Sequence, residues 1–144
     1  MVVNRQRRIS IALDPLRHFA ERARRELRFA DDAVTVCLVS DAAIARMNRI
    51  YRGKRGPTDV LSFPFGARAA KISRARARTG YVGDIAISPS AARRNARRLD
   101  RSLPLELRVL ILHGMLHLAG YDHETDRGEM ERIERRLRRR LGVA

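Results

Sequence analysis

The sequence predicts an α+β fold, a small mixed sheet of about four strands covered by helices. Three observations carry that expectation. Four short apolar runs rich in β-branched residues are separated by stretches with helical spacing, in the coarse order βαβαββααα. The composition is globular, 44% hydrophobic and 33% charged over 144 residues, a length that suits one domain with a real core. No internal repeat and no second domain is visible, so residues 1–144 read as a single unit.

The elements follow in order. Arg8–Leu13 is short and apolar, a first strand. Asp14-Pro15 then opens a helix, because aspartate caps and proline suits the first helical position. Leu16, Phe19, Ala20, Ala23 and Leu27 form its inward stripe, and His18 reads as an exposed or packing histidine. Ala33–Val39 is a continuous β-branched run and reads as a buried strand containing the lone cysteine, Cys37, as a buried thiol. Ser40-Asp41 caps a helix over Ala42–Ile50, with Ile44 and Met47 facing inward. Tyr51–Pro57 is a basic loop with two glycines, and Thr58–Phe65 is a strand. Pro64 cannot donate a ladder hydrogen bond, so that strand belongs at an edge or ends there.

Gly66–Gly80 carries Arg68, Lys71, Arg74, Arg76 and Arg78 with no acid, and reads as a loop or hairpin tip. It suits a solvated linker and a phosphate contact equally. Tyr81–Ser88 is the next strand, and Asp84 within it reads as a structural hydrogen-bonder rather than a support for a metal ligand. Ser88-Pro89-Ser90 opens a helix to about Leu99, with Arg93, Arg94, Arg97 and Arg98 at i, i+4 pairs. Pro104 starts the next helix. Asp126–Leu141 is the last, with Met130, Ile133, Leu137 and Leu141 on its apolar face and an acidic-to-basic gradient that suits the helix dipole.

The net charge is +15, from 31 basic and 16 acidic residues. That favours a polyanionic partner, nucleic acid before membrane. Lys54 and Lys71 are the only lysines, and such an arginine bias is also what a GC-rich genome produces, so the weight rests on the net excess. A single cysteine allows no intrachain disulfide and fits a reducing cytosol. The opening MVVNRQRRIS has no apolar core, and Leu103–Leu118 is interrupted by Glu106, Arg108 and His113. Neither a signal peptide nor a transmembrane helix is expected, and the location expected is cytoplasmic.

The chemistry concentrates in Ile111–Glu124, ILHGMLHLAGYDHE. Three of the four histidines, His113, His117 and His123, fall within this stretch. His113 and His117 are four apart and project from one face of a helix. Gly120 can take positive φ, end the helix and return His123 towards the other two. Three neutral imidazoles converging on one point match a zinc ion with its fourth position open. Unpartnered buried imidazoles would cost about 1–3 kcal/mol each, and a metal removes that cost.

The spacing HxxxHxxGxxH resembles that of the metzincin zinc proteases, but their general-base glutamate, directly after the first histidine, is Gly114 here. What remains is a site able to acidify water or polarise an oxygen. Tyr51-Arg52-Gly53-Lys54 adds glycine-flanked cations suited to a phosphate, read equally simply as a basic turn. A metal and an arginine on a basic protein point to phosphodiester cleavage, because phosphoryl transfer asks for charge stabilisation and positioning.

HGMLHLAGYDH (113–123), YRGKRGPTDVLSFPF (51–65) and GDIAIS (83–88) resemble the signature blocks of the YbeY family of bacterial and organellar endoribonucleases, also called rRNA maturation factors. The resemblance covers nearly the whole chain. It implies an α+β fold with a metzincin-like zinc site, one zinc ion on His113, His117 and His123, and a functional arginine at Arg52. It further implies single-strand RNA cleavage in ribosomal RNA processing, including the 16S rRNA 3′ end, and ribosome quality control. The partners implied are ribosomal RNA, ribosomal subunits and a ribosomal protein or ribosome-associated GTPase. The arginine-rich 66–80 segment is variable in such proteins. Attack by water and attack by the ribose 2′-OH both stay open, with Asp122 or Glu124 available to orient a ligand or handle a proton. The alternative is a non-catalytic, zinc-stabilised ribosome-assembly factor.

Overall fold

The computed structural model describes residues 1–65, 80–122 and 124–144. Its element order is β1 (Val2–Asn4), α1 (Leu13–Glu26), β2 (Val34–Leu38), α2 (Asp41–Arg52), β3 (Val60–Pro64), β4 (Gly83–Ile87), α3 (Pro89–Arg98), α4 (Leu103–Leu118) and α5 (Glu129–Arg140). The strands form one sheet in the order β1-β2-β4-β3. β1, β2 and β4 run parallel, and β3 pairs antiparallel with β4, Val60 opposite Ile87 and Pro64 opposite Gly83. The sheet is therefore mixed and α+β, as expected, and β3 with its Pro64 lies at an edge.

The core lies between the sheet and α4. Leu107, Ile111, Leu112 and Leu116 of α4 are fully buried with Ile85 and Ile87 of β4. α1, α3 and α5 pack around α4. An apolar helix on all sides is what such a central position requires. A second, smaller cluster forms where Ile44 of α2 covers Leu61 and Ala86 on the opposite face of the sheet. Cys37 packs here half-buried, more accessible than its apolar run suggests.

Helix starts follow local chemistry. Ser40, Ser88 and Ser102 each accept the backbone N–H three residues on, at 3.1, 3.1 and 3.2 Å. α5 has Gly128 at its N-cap, and Asp126, two residues earlier, accepts from the Gly128 and Met130 N–H groups at 2.8 Å each.

The first strand is not where the alternation places it. Arg8–Leu13 pairs with no strand among the described residues. The Gln6 side chain instead accepts from the Ile9 N–H at 2.9 Å and donates to the Ile9 carbonyl at 2.8 Å, which bends the chain. The strand is Val2–Asn4, too short to show a period. α1 then begins at Leu13, with Ala12 and not Asp14 at its N-cap. α2 runs on through Tyr51 and Arg52, where the sequence suggests a loop, and Gly53 ends it with φ 65°. Inside α2, Asn48 is buried and donates to the Gly56 carbonyl at 3.0 Å, fixing the turn after the helix.

Candidate metal centre and groove

α4 carries His113 and His117 one turn apart on the side that leaves the core. Between them Gly114, Met115 and Leu116 are buried. Both imidazoles are half-buried, their centroids 4.7 Å apart at 75°. The two Nε2 atoms lie 3.1 Å from each other. Tetrahedral zinc bound by two imidazole nitrogens at about 2.0–2.1 Å would separate them by about 3.3 Å. The pair therefore already has the spacing a shared ion needs.

The other ring nitrogen of His113 is held from α5. Glu134 Oε1 lies 2.8 Å from His113 Nδ1, with 28% of the imidazole side chain and 19% of the carboxylate side chain exposed. A carboxylate only accepts, so Nδ1 carries the shared proton, and the Nε2 atom on the other side of the ring faces His117. Carboxylate support of this kind is the usual companion of a metal-binding histidine.

Gly114 explains why no glutamate follows His113. A Cβ at this position would meet Ile85 Cδ1 and Cγ2 at 2.9 Å. α4 presses onto β4 here, and a larger side chain would drive into the sheet instead of towards the histidines. The neighbouring carbonyl reflects the same close fit, since Ser62 Oγ of β3 donates to the Gly114 carbonyl at 3.1 Å.

The histidines open into a groove of about 710 Å³. Its far wall is β3 and the end of α2, contributing Arg52, Tyr51, Ser62 and Phe63; its floor continues to Tyr121, Asp122 and Glu124. Arg52 is exposed and forms no ion pair with any carboxylate among the described residues. Of the residues expected from sequence, Arg52, His113 and His117 thus share one groove. His123 lies outside the described residues, as does most of the basic 66–80 segment. Among the described residues no group of three or more histidine, cysteine or acidic side chains is placed to hold a metal.

Asp122 shapes the turn after α4, its Oδ1 accepting from the Glu124 N–H at 3.0 Å. Asp84 is exposed on β4 and bonds the Tyr81 hydroxyl, which also bonds Thr35 Oγ1 at 3.1 Å. Burial first, and the Asp84 contact second, push the Tyr81 hydroxyl above its ordinary value. His18 is exposed on α1. Glu134 is not expected from sequence, although a signal exists. Met130, Glu134 and Leu137 recur at i, i+4, i+7, which puts an acid on the inward stripe of α5.

Fold and site together define a small α+β protein that presents an imidazole pair from its central helix to a groove walled on the other side by an edge strand and an arginine. A sequence model described as Endoribonuclease YbeY matches residues 1–142. The chain is 41% identical over 141 residues to Endoribonuclease YbeY of Koribacter versatilis, covering 98% of this chain and 85% of that protein. It is also 41% identical over 129 residues to the Solibacter usitatus protein of the same name, covering 89% and 78%. The solution structure of TM1509 from Thermotoga maritima superposes with a TM-score of 0.65 at 30% identity, covering 98% of this chain and 89% of that one. The chain belongs to the endoribonuclease YbeY family.

Proposed function

We propose that this protein is a zinc-dependent, single-strand-specific endoribonuclease of ribosomal RNA maturation, with residues 1–144 as its catalytic domain. The observation that carries the reading is the shared groove: Arg52 and both helix histidines open onto it from opposite walls. Family membership supplies the reaction class, and the net charge of +15 suits an RNA substrate.

In this reading His113, His117 and His123 hold one zinc ion, which supplies Lewis acidity to the reacting phosphodiester. Glu134 fixes the tautomer and direction of His113. Arg52 takes the non-bridging phosphate oxygens with its fork of donors and offsets the charge that grows on them. Tyr51 and Phe63, edge to face at 5.1 Å, form the apolar part of the wall. The substrates are ribosomal RNA and ribosomal subunits in the cytoplasm, with processing of the 16S 3′ end and quality control as the setting. A ribosomal protein or ribosome-associated GTPase is the partner. No helix among the described residues is long and apolar enough to cross a membrane.

The test is cleavage of labelled single-stranded RNA by metal-analysed protein, with Arg52→Ala and His117→Ala purified in parallel. The expected outcome is about one zinc per wild-type chain and a cut that both variants lose. Product ends then decide the route: a 2′,3′-cyclic phosphate means 2′-OH attack, and a 5′-phosphate means water attack. Equal cutting by all three proteins would identify a contaminant and favour the non-catalytic assembly factor.

A further inference from the structure

The groove accounts for Arg52 but not for the cations beside it. Arg46, Arg49 and Arg52 recur every third residue along α2, a ladder about 9 Å long at the rise of an α-helix. Arg46 and Arg49 are exposed, and with Arg55 they line a depression of about 480 Å³ floored by Ala42, Ala45 and Gly56. None of these arginines forms an ion pair among the described residues. The one acid on α2, Asp41, is already held by Arg94 at 2.9 Å and by Ser88 at 2.6 Å. Some arginines elsewhere are matched, as Arg135 is by Glu131 and Arg140 by Glu26; what sets the α2 arginines apart is that they lead into the groove at Arg52. Tyr51 stands at the junction of ladder and groove, 68% exposed, its ring steadied by Phe63 at 5.1 Å.

We propose that the exposed face of α2 continues the groove as a binding track for a single RNA strand. Arg46, Arg49 and Arg55 take phosphates outside the groove, Arg52 takes the next one at its mouth, and Tyr51, on the groove side of Arg52 against Phe63, stacks one unpaired base. Alternating cations with an exposed aromatic is the arrangement that holds single strands without reading sequence. A duplex keeps its bases inside the stack and cannot use Tyr51. The inference rests on the ribonuclease reading and names how that site would engage strand beyond the cut.

Fluorescence anisotropy of a labelled twelve-nucleotide single strand, titrated with salt, tests it. The proteins are wild type, Arg46→Ala/Arg49→Ala, Tyr51→Ala, and Arg136→Ala/Arg139→Ala. The last removes two exposed arginines at the same spacing from α5, which does not line the groove. The ladder variant should bind about tenfold more weakly and lower the log–log salt slope by about 1.4, two single-strand phosphates' worth. Tyr51→Ala should bind about tenfold more weakly with the slope unchanged, because a stacked base releases no counterion. Equal losses from both arginine pairs, or a ladder variant or a Tyr51→Ala that binds like wild type, would overturn the track. If cleavage still depends on Arg52 in that case, the ribonuclease reading stands without it. Wild type that neither binds nor cuts the strand sinks both.

Discussion

The two walls of the groove are built by different means. The α4 wall is made inside the core: His113 and His117 flank a glycine packed against Ile85, and Glu134 reaches in from α5. The α2 wall is made at a helix end. Arg52 and Tyr51 occupy the last turn before Gly53, both exposed. One wall fixes atoms by packing; the other offers charge on long side chains. The difference suits the proposed function, in which the site would hold an ion at set distances while meeting a variable, flexible strand. It also implies that substitutions on the first wall disturb stability and metal binding, whereas those on the second disturb substrate alone.

The comparison can be strained at four places. Gly114→Val should cost the most, about 2 kcal/mol of unfolding free energy in urea titration, as overpacking against the fully buried Ile85. Pairing Gly114→Ala with Ile85→Ala should be non-additive, since the second change makes room for the first. Glu134→Ala should weaken zinc binding about 10- to 100-fold in chelator competition, with Glu134→Gln, which keeps an acceptor, falling between.

A smaller effect comes from Glu106 in α4, 4% exposed, whose carboxyl is pushed up chiefly by burial. Arg101, 3.2 Å away, opposes that shift without cancelling it. The folded protein therefore holds the proton more tightly than the unfolded chain. Stability falls as pH rises from the ordinary carboxylate range through the raised value. In Glu106→Gln that decline should be absent when unfolding is followed across the same range. Least of all, Arg52→Ala should move the unfolding free energy by less than about 0.5 kcal/mol while abolishing cleavage. A large stability loss there would mean the two walls are not built differently after all.

Much of the α4 wall is legible in the sequence because its determinants are local. The i, i+4 histidines and the positive φ of 96° at Gly120 follow from residue type and spacing. Pro64 likewise marks β3 as an edge. What stays hidden depends on distant chain. Glu134 meets His113 across 21 residues, and Gly114 is explained only by Ile85 on another element. β1 escapes the pattern because three residues, Val2–Asn4, gain strand character from β2 and not from their own alternation. Arg52 reads as loop although Gly53 directly after it is the commoner kind of helix stop.

The contact between Gly114 and β4 has a consequence for binding entropy. Because the backbone of α4 is referenced to the sheet, and Glu134 holds the ring of His113, that imidazole gives up rotamer freedom when the chain folds. In the proposed function, an arriving ion would not have to immobilise that side chain, a cost of about 0.5–1.5 kcal/mol for each one that association must order. Affinity at such a site is set largely during folding, by a residue with no side chain at all.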